Sequence, residues 1–163
     1  MIRGLHLSKR IISALSLFAL AVAFLFSSSL HKAEASVSWG QEVTEVGKLY
    51  LGNPYKWGGT SQKGFDASGY TQYIFKTSAA KMTLPPSSKE QYKLGKAVKQ
   101  KDLKEGDLVF FNIDGKGVSF VGIYLNSNQF LAVTVNKGVS IQSLSSKYWK
   151  DRYIGAKRVL KEY

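Results

Sequence analysis

The sequence predicts an α+β domain, with N-terminal helices packed on an antiparallel sheet. Two observations carry this. Between residues 39 and 92, apolar residues recur at helical spacing and are separated by Gly and Pro stops. From residue 107 onward, short runs rich in β-branched and aromatic residues alternate with turn sequences.

Trp39, Val43, Val46, Leu49 and Tyr50 mark one face of a first helix, which Gly52-Asn53-Pro54 stops. A polar, glycine-rich loop from Lys56 to Phe65 leads to Asp66, a residue suited to cap a second helix. Tyr70, Tyr73, Ile74 and Phe75 form the buried face of that helix. Pro85-Pro86-Ser87 introduces a third, short helix through Tyr92. Strands are predicted over Asp107 to Phe111, Ser119 to Leu125, Gln129 to Val135, Val139 to Leu144 and Tyr153 to Leu160. Asn126-Ser127-Asn128 and Asn136-Lys137-Gly138 supply the turns between three of them.

The first 35 residues are expected to lie outside this domain as a secretory signal peptide. Arg3, Lys9 and Arg10 precede an apolar run from Ile11 to Phe26, and Ala33-Glu34-Ala35 has the small-x-small pattern of a cleavage site. The run falls short of the about 20 apolar residues that span a bilayer, so no stable membrane anchor is expected. The domain is then residues 36–163, exported as one unit. Residues 1–35 hold four of the 23 Lys and Arg and one of the 11 Asp and Glu, which leaves 19 basic and 10 acidic residues and a net charge of +9. That surplus gives a soluble surface and attracts polyanions. Outside a cell these are wall polymers and anionic lipid headgroups rather than nucleic acid. With no cysteine, the domain has no disulfides and depends on burial for stability.

Two stretches stand apart from generic patterning. Leu51-Gly52-Asn53-Pro54-Tyr55-Lys56-Trp57-Gly58-Gly59-Thr60 is followed by Gly64-Phe65-Asp66-Ala67-Ser68-Gly69-Tyr70. Leu103-Lys104-Glu105-Gly106-Asp107-Leu108-Val109-Phe110-Phe111 is followed by Val121-Gly122-Ile123-Tyr124-Leu125. Together they resemble the NlpC-type peptidoglycan endopeptidases, a papain-like family that cuts stem peptides of the bacterial wall. The resemblance implies a papain-like fold over about residues 43–160. It also implies a cysteine nucleophile at the start of the second helix, where free amides and the helix dipole favour a thiolate. A histidine on a facing strand and a second polar residue on the next would complete that site.

In this sequence the corresponding positions are Ala67, Phe120 and Ala132. The chain has no cysteine, and its two histidines, His6 and His31, precede residue 36. The expectation is therefore a non-enzyme in which nucleophile and both histidine positions are replaced. Phe120 is expected to fill the cleft and leave it shallow, with Ala132 forming an apolar wall. Pro86 stands where the family commonly has an arginine.

The resemblance implies that Tyr55, Asp66 and Ser68 flank a bound stem peptide, and Trp57 joins them as a candidate ligand residue. Each also has a purely structural reading: Tyr55 packing beside Pro54, Asp66 as helix cap, Ser68 as a first-turn residue, and Trp57 as a partly buried loop anchor. For Trp57 the usual burial of tryptophan favours the anchor over a sugar-stacking platform. No motif calls for a metal or cofactor.

Three functions follow as expectations. The first is a secreted, wall-associated module that binds peptidoglycan peptides or anionic wall polymer without catalysis. The second is a regulator or structural partner of an active wall hydrolase, or of an envelope or spore layer. The third is a cell-wall hydrolase with an unrecognised mechanism.

Overall fold

The computed structural model describes residues 37–161. The leader expected over residues 1–35 lies outside the described residues.

Helix α1 (Trp39–Lys48) starts at a reciprocal cap. The Ser38 hydroxyl accepts from the Gln41 amide at 3.1 Å, while the Gln41 side chain accepts from the Ser38 amide at 3.0 Å. Its buried face is Gly40, Val43, Thr44 and Gly47, while Leu49, expected on that face, lies past the last turn and is exposed. Two-residue strands β1 (Thr60–Ser61) and β2 (Gly64–Phe65) form a small hairpin within the polar loop. Helix α2 (Ala67–Thr77) follows, capped by Asp66 as the sequence predicts, and it buries Tyr70, Thr71, Ile74 and Phe75. A single-turn helix α3 (Ser88–Gln91) comes after Pro85 and Pro86.

The rest is a six-stranded sheet of β3 (Lys96–Val98), β4 (Leu108–Phe111), β5 (Phe120–Tyr124), β6 (Gln129–Thr134), β7 (Gly138–Ser143) and β8 (Tyr153–Arg158). A short helix, α4 (Lys147–Lys150), links the last two strands. The strand order is β3-β8-β4-β5-β6-β7, and every pairing is antiparallel. All residues of β4 and β5 are buried, because both faces of the sheet are covered. On one face, Leu108, Phe110, Val121, Ile123, Leu131 and Val133 pack with Val43, Tyr70, Ile74 and Phe75 of the first two helices. On the other, Val109, Phe111, Phe120, Phe130 and Ala132 pack with Leu144 and Trp149.

Two polar contacts tie distant segments together inside this frame. The Tyr70 hydroxyl donates to the Gly47 carbonyl at 2.8 Å and joins α2 to α1. Asp107, just before β4, receives Nε and Nη2 of Arg158 on β8, each at 2.8 Å, and also accepts from the Lys104 amide. This paired geometry compensates a nearly fully buried carboxylate. Among the described residues no helix is long and apolar enough to cross a membrane.

Candidate functional site

A cleft of about 820 Å³ opens where the N-terminus of α2 meets the start of β5 and the end of β6. All four candidate ligand residues line it: Tyr55, Trp57, Asp66 and Ser68. They converge because the loop before α2 folds back on the helix start. The Lys56 amide donates to the Phe65 carbonyl at 2.9 Å, and the Asp66 amide donates to the Gly59 carbonyl at 3.0 Å. The Gly58 amide reaches Asp66 Oδ2 at 3.0 Å.

Asp66 is both cap and cleft residue. Its Oδ1 accepts from the Gly69 amide at 2.7 Å and from the Ser68 hydroxyl at 3.1 Å. A carboxylate offers about four lone-pair directions, so three internal donors fix its position and leave room for a ligand donor. Tyr55 is half-buried and bridges in parallel to Phe65, which holds it at the cleft wall.

Trp57 differs from expectation. It is not a partly buried anchor: its side chain is 86% exposed. The turn from Lys56 to Gly59, closed by a 2.9 Å hydrogen bond, fixes the backbone while directing the ring away from the core. The general tendency of tryptophan to be buried gives no information on where a tight turn sends its side chain.

Ala67, Phe120 and Ala132 belong to one hydrophobic grouping, with Ala67 packed against the cluster that contains the other two. One helix start and two neighbouring strands thus bring these three side chains into the same cluster. Only Ala67 and Phe120 reach the cleft lining, whereas Ala132 is fully buried beneath it and forms none of its wall. Phe120 does not fill the cleft either. Its ring tilts against Trp149 with centroids 5.0 Å apart and becomes part of the floor. Exposed Pro86 stands on the rim.

The sequence reading placed none of the other contributors in the site. Tyr148 and Trp149 come from α4, a helix too short to leave a periodic signal, and Lys137 comes from the turn after β6. Trp149 is held by a hydrogen bond from Nε1 to the Gln142 side chain at 3.1 Å. Lys137 is the one cation in the lining among the described residues, and Asp66 the one carboxylate. Among those residues no three His, Cys, Asp or Glu side chains gather as a metal site.

The NlpC/P60 family profile matches residues 52–158, which takes in the loop, the cleft and the sheet. The chain belongs to the NlpC/P60 family. It is similar to the murein DD-endopeptidase/LD-carboxypeptidase MepS of Escherichia coli, at 42% identity over 111 residues, covering 68% of this chain and 58% of that protein. The chain thus spans a little over half the length of this curated relative. The crystal structure of an NlpC/P60 family protein from Bacillus cereus superposes with a TM-score of 0.70 at 37% identity, covering 75% of this chain and 40% of the other. RipD from Mycobacterium tuberculosis, described as a non-catalytic NlpC/p60 domain protein adapted to peptidoglycan binding, superposes with a TM-score of 0.63 at 28% identity, covering 76% and 98%. The papain-like α+β architecture is the family's fold.

One expectation is corrected by these relatives. The sequence reading made the chain a non-enzyme because the family's nucleophile and both histidine positions are replaced, by Ala67, Phe120 and Ala132. MepS and other NlpC/P60 relatives, among them MepH and a gamma-DL-glutamyl hydrolase, are named as endopeptidases and hydrolases. Three replacements do not by themselves set this chain apart from that group.

Proposed function

We propose that the cleft binds the stem peptide of peptidoglycan, in a protein exported to and retained at the cell wall. The observation that carries this is that one carboxylate, Asp66, and one cation, Lys137, line a single cleft whose remaining lining is mainly apolar or hydroxylic. A stem peptide offers an ammonium to Asp66, with Ser68 and Tyr55 beside it, and carboxylates to Lys137. MepS acts on murein by name, and RipD is described as adapted to peptidoglycan binding, which supports the same ligand here.

The test is calorimetric titration of the purified domain with a stem tripeptide, followed by mass spectrometry of the same samples to read any cleavage. Saturable binding that weakens about tenfold in Asp66→Asn, a loss of about 1.4 kcal/mol, is the expected result. Absence of saturable binding at millimolar peptide, or binding indifferent to Asp66→Asn in a folded variant, overturns the reading.

A second reading draws on charge. Lys93, Lys96, Lys99, Lys101 and Lys104 fall within twelve residues, all exposed, from just before the edge strand β3 to the turn that follows it, with Lys93 paired to Glu90 at 2.8 Å. This density supports association with anionic wall polymer in addition to peptide. A wall hydrolase as protein partner remains an alternative, tested by co-purification from a wall extract.

A further inference from the structure

We propose that the cleft takes its peptide with the glycan sugar still attached, and that Trp57 and Tyr148 are the sugar-stacking residues. The inference rests on the peptide-binding reading above and names the ligand more narrowly. Two large aromatic side chains lining one cleft stay open to solvent, Trp57 at 86% and Tyr148 at 51%. Trp57 is held at its backbone and Tyr148 at its ring. The Trp57 backbone is pinned on both sides by the 2.9 Å closure between Lys56 and Gly59 and by the bond from the Gly58 amide to Asp66.

Tyr148 is propped from below and behind. The Arg152 guanidinium lies 4.0 Å from the centroid on one ring face, and Trp149 meets Tyr148 edge to face at 4.9 Å. Arg152 is itself anchored by a 3.0 Å bond from Nη1 to the Tyr148 carbonyl. An exposed ring fixed as Tyr148 is loses little freedom on binding, and the pinned turn keeps Trp57 at the cleft mouth, which together make an efficient contact platform.

The surroundings point to a sugar rather than to an apolar side chain. A pyranose ring has a C–H face and a rim of hydroxyls and, in wall glycan, acetamido groups. The C–H face is attracted to an aromatic π-face. Asn136 and Ser146 line the same cleft and present an amide and a hydroxyl group to such a rim. A site built for an aliphatic side chain would leave these polar groups desolvated against hydrocarbon, at a cost. The volume of about 820 Å³ lies in the range of sites that take a drug-sized ligand.

The experiment compares three probes by calorimetry: a disaccharide tripeptide, the same tripeptide without sugars, and peptide-free glycan oligomers. Wild-type protein should prefer the disaccharide tripeptide over the bare tripeptide by about tenfold, about 1.4 kcal/mol. Trp57→Ala and Tyr148→Ala should each bring that ratio towards one, Trp57→Phe should keep most of it, and Asp66→Asn should weaken both ligands while preserving the ratio. Thermal melts establish that each variant is folded. Equal affinity for the two peptides, or a preference that survives both alanine substitutions, overturns the sugar assignment and leaves the peptide reading standing. Glycan oligomers bound through Trp57 and Tyr148 with no gain from the peptide would instead uphold the sugar assignment and overturn the peptide reading. Failure of all three probes to bind overturns both.

Discussion

At the scale of single residues, the clearest consequence concerns two of the tyrosines whose protons the fold retains. Burial pushes the Tyr70 hydroxyl well above its ordinary range, and its hydrogen bond to the Gly47 carbonyl requires the protonated form. Burial also raises Tyr153, to about 12. A raised pKa in the folded state means the unfolded chain releases these protons first. Their contribution to stability is therefore complete below about pH 10 and falls as pH rises towards 12 and beyond. Tyr70→Phe should lose about 0.5–1.5 kcal/mol at neutral pH, yet its melting temperature should fall less steeply than wild type between about pH 9 and pH 11. Parallel alkaline slopes in the two proteins would contradict this. Such behaviour is only partly legible in the sequence. That Tyr70 is buried follows from its place on an apolar helical face, but its partner, the Gly47 carbonyl, is fixed by helix packing. Asp66 was legible as a cap, because a carboxylate directly before a helix has a local job to do. The exposure of Trp57 was not, since it depends on how a turn closes.

At the scale of elements, α2 is seated against the motif loop by two glycines. A Cβ on Gly69 would run into the Gly59 carbonyl oxygen, so the helix start approaches the loop as closely as backbone permits. Gly69→Ala should therefore cost about 1–3 kcal/mol through overpacking and should also weaken peptide binding, because Asp66 and Trp57 sit on the two sides of that contact. Gly52→Ala is the control. Gly52 has φ 85° but no neighbour near an added Cβ, so it should show backbone strain, about 1 kcal/mol, without loss of binding. Urea melts of both variants, with peptide titrations, check this. The long elements were readable because their apolar residues repeat over several turns or strands. Strand β3 was not: Lys-Ala-Val has no hydrophobic pattern and becomes a strand only by pairing with β8. Likewise the Phe120–Tyr124 strand reads as alternating in isolation, yet all five residues are buried once Trp149 and Leu144 cover the second face.

At the scale of the whole molecule, the proposed attachment to the wall divides into separable contributions from charge and cleft. The segment after residue 35 carries a net charge of +9, and its lysines lie mostly outside the cleft, in which Lys137 is the one cation among the described residues. Attraction of exposed lysines to a phosphate-rich polymer is screened over about 8 Å at physiological ionic strength and over about 3 Å at 1 M. Peptide binding within the cleft, as proposed above, would rest on short contacts and apolar burial and should depend on salt far less. Retention on intact wall should thus fall steeply between about 50 mM and about 500 mM salt. Wall stripped of its anionic polymers should retain less protein at low salt, and the remainder should be nearly insensitive to salt. Asp66→Asn should remove that remainder, while Lys96→Glu combined with Lys99→Glu and Lys101→Glu should remove the salt-sensitive part and spare it. Sedimentation of each protein with the two wall preparations across the salt series reads all four outcomes. If stripping leaves the salt dependence unchanged, the lysine-rich edge is not the polymer contact. If the triple lysine variant and Asp66→Asn lose the same fraction, charge and cleft act as one site rather than two.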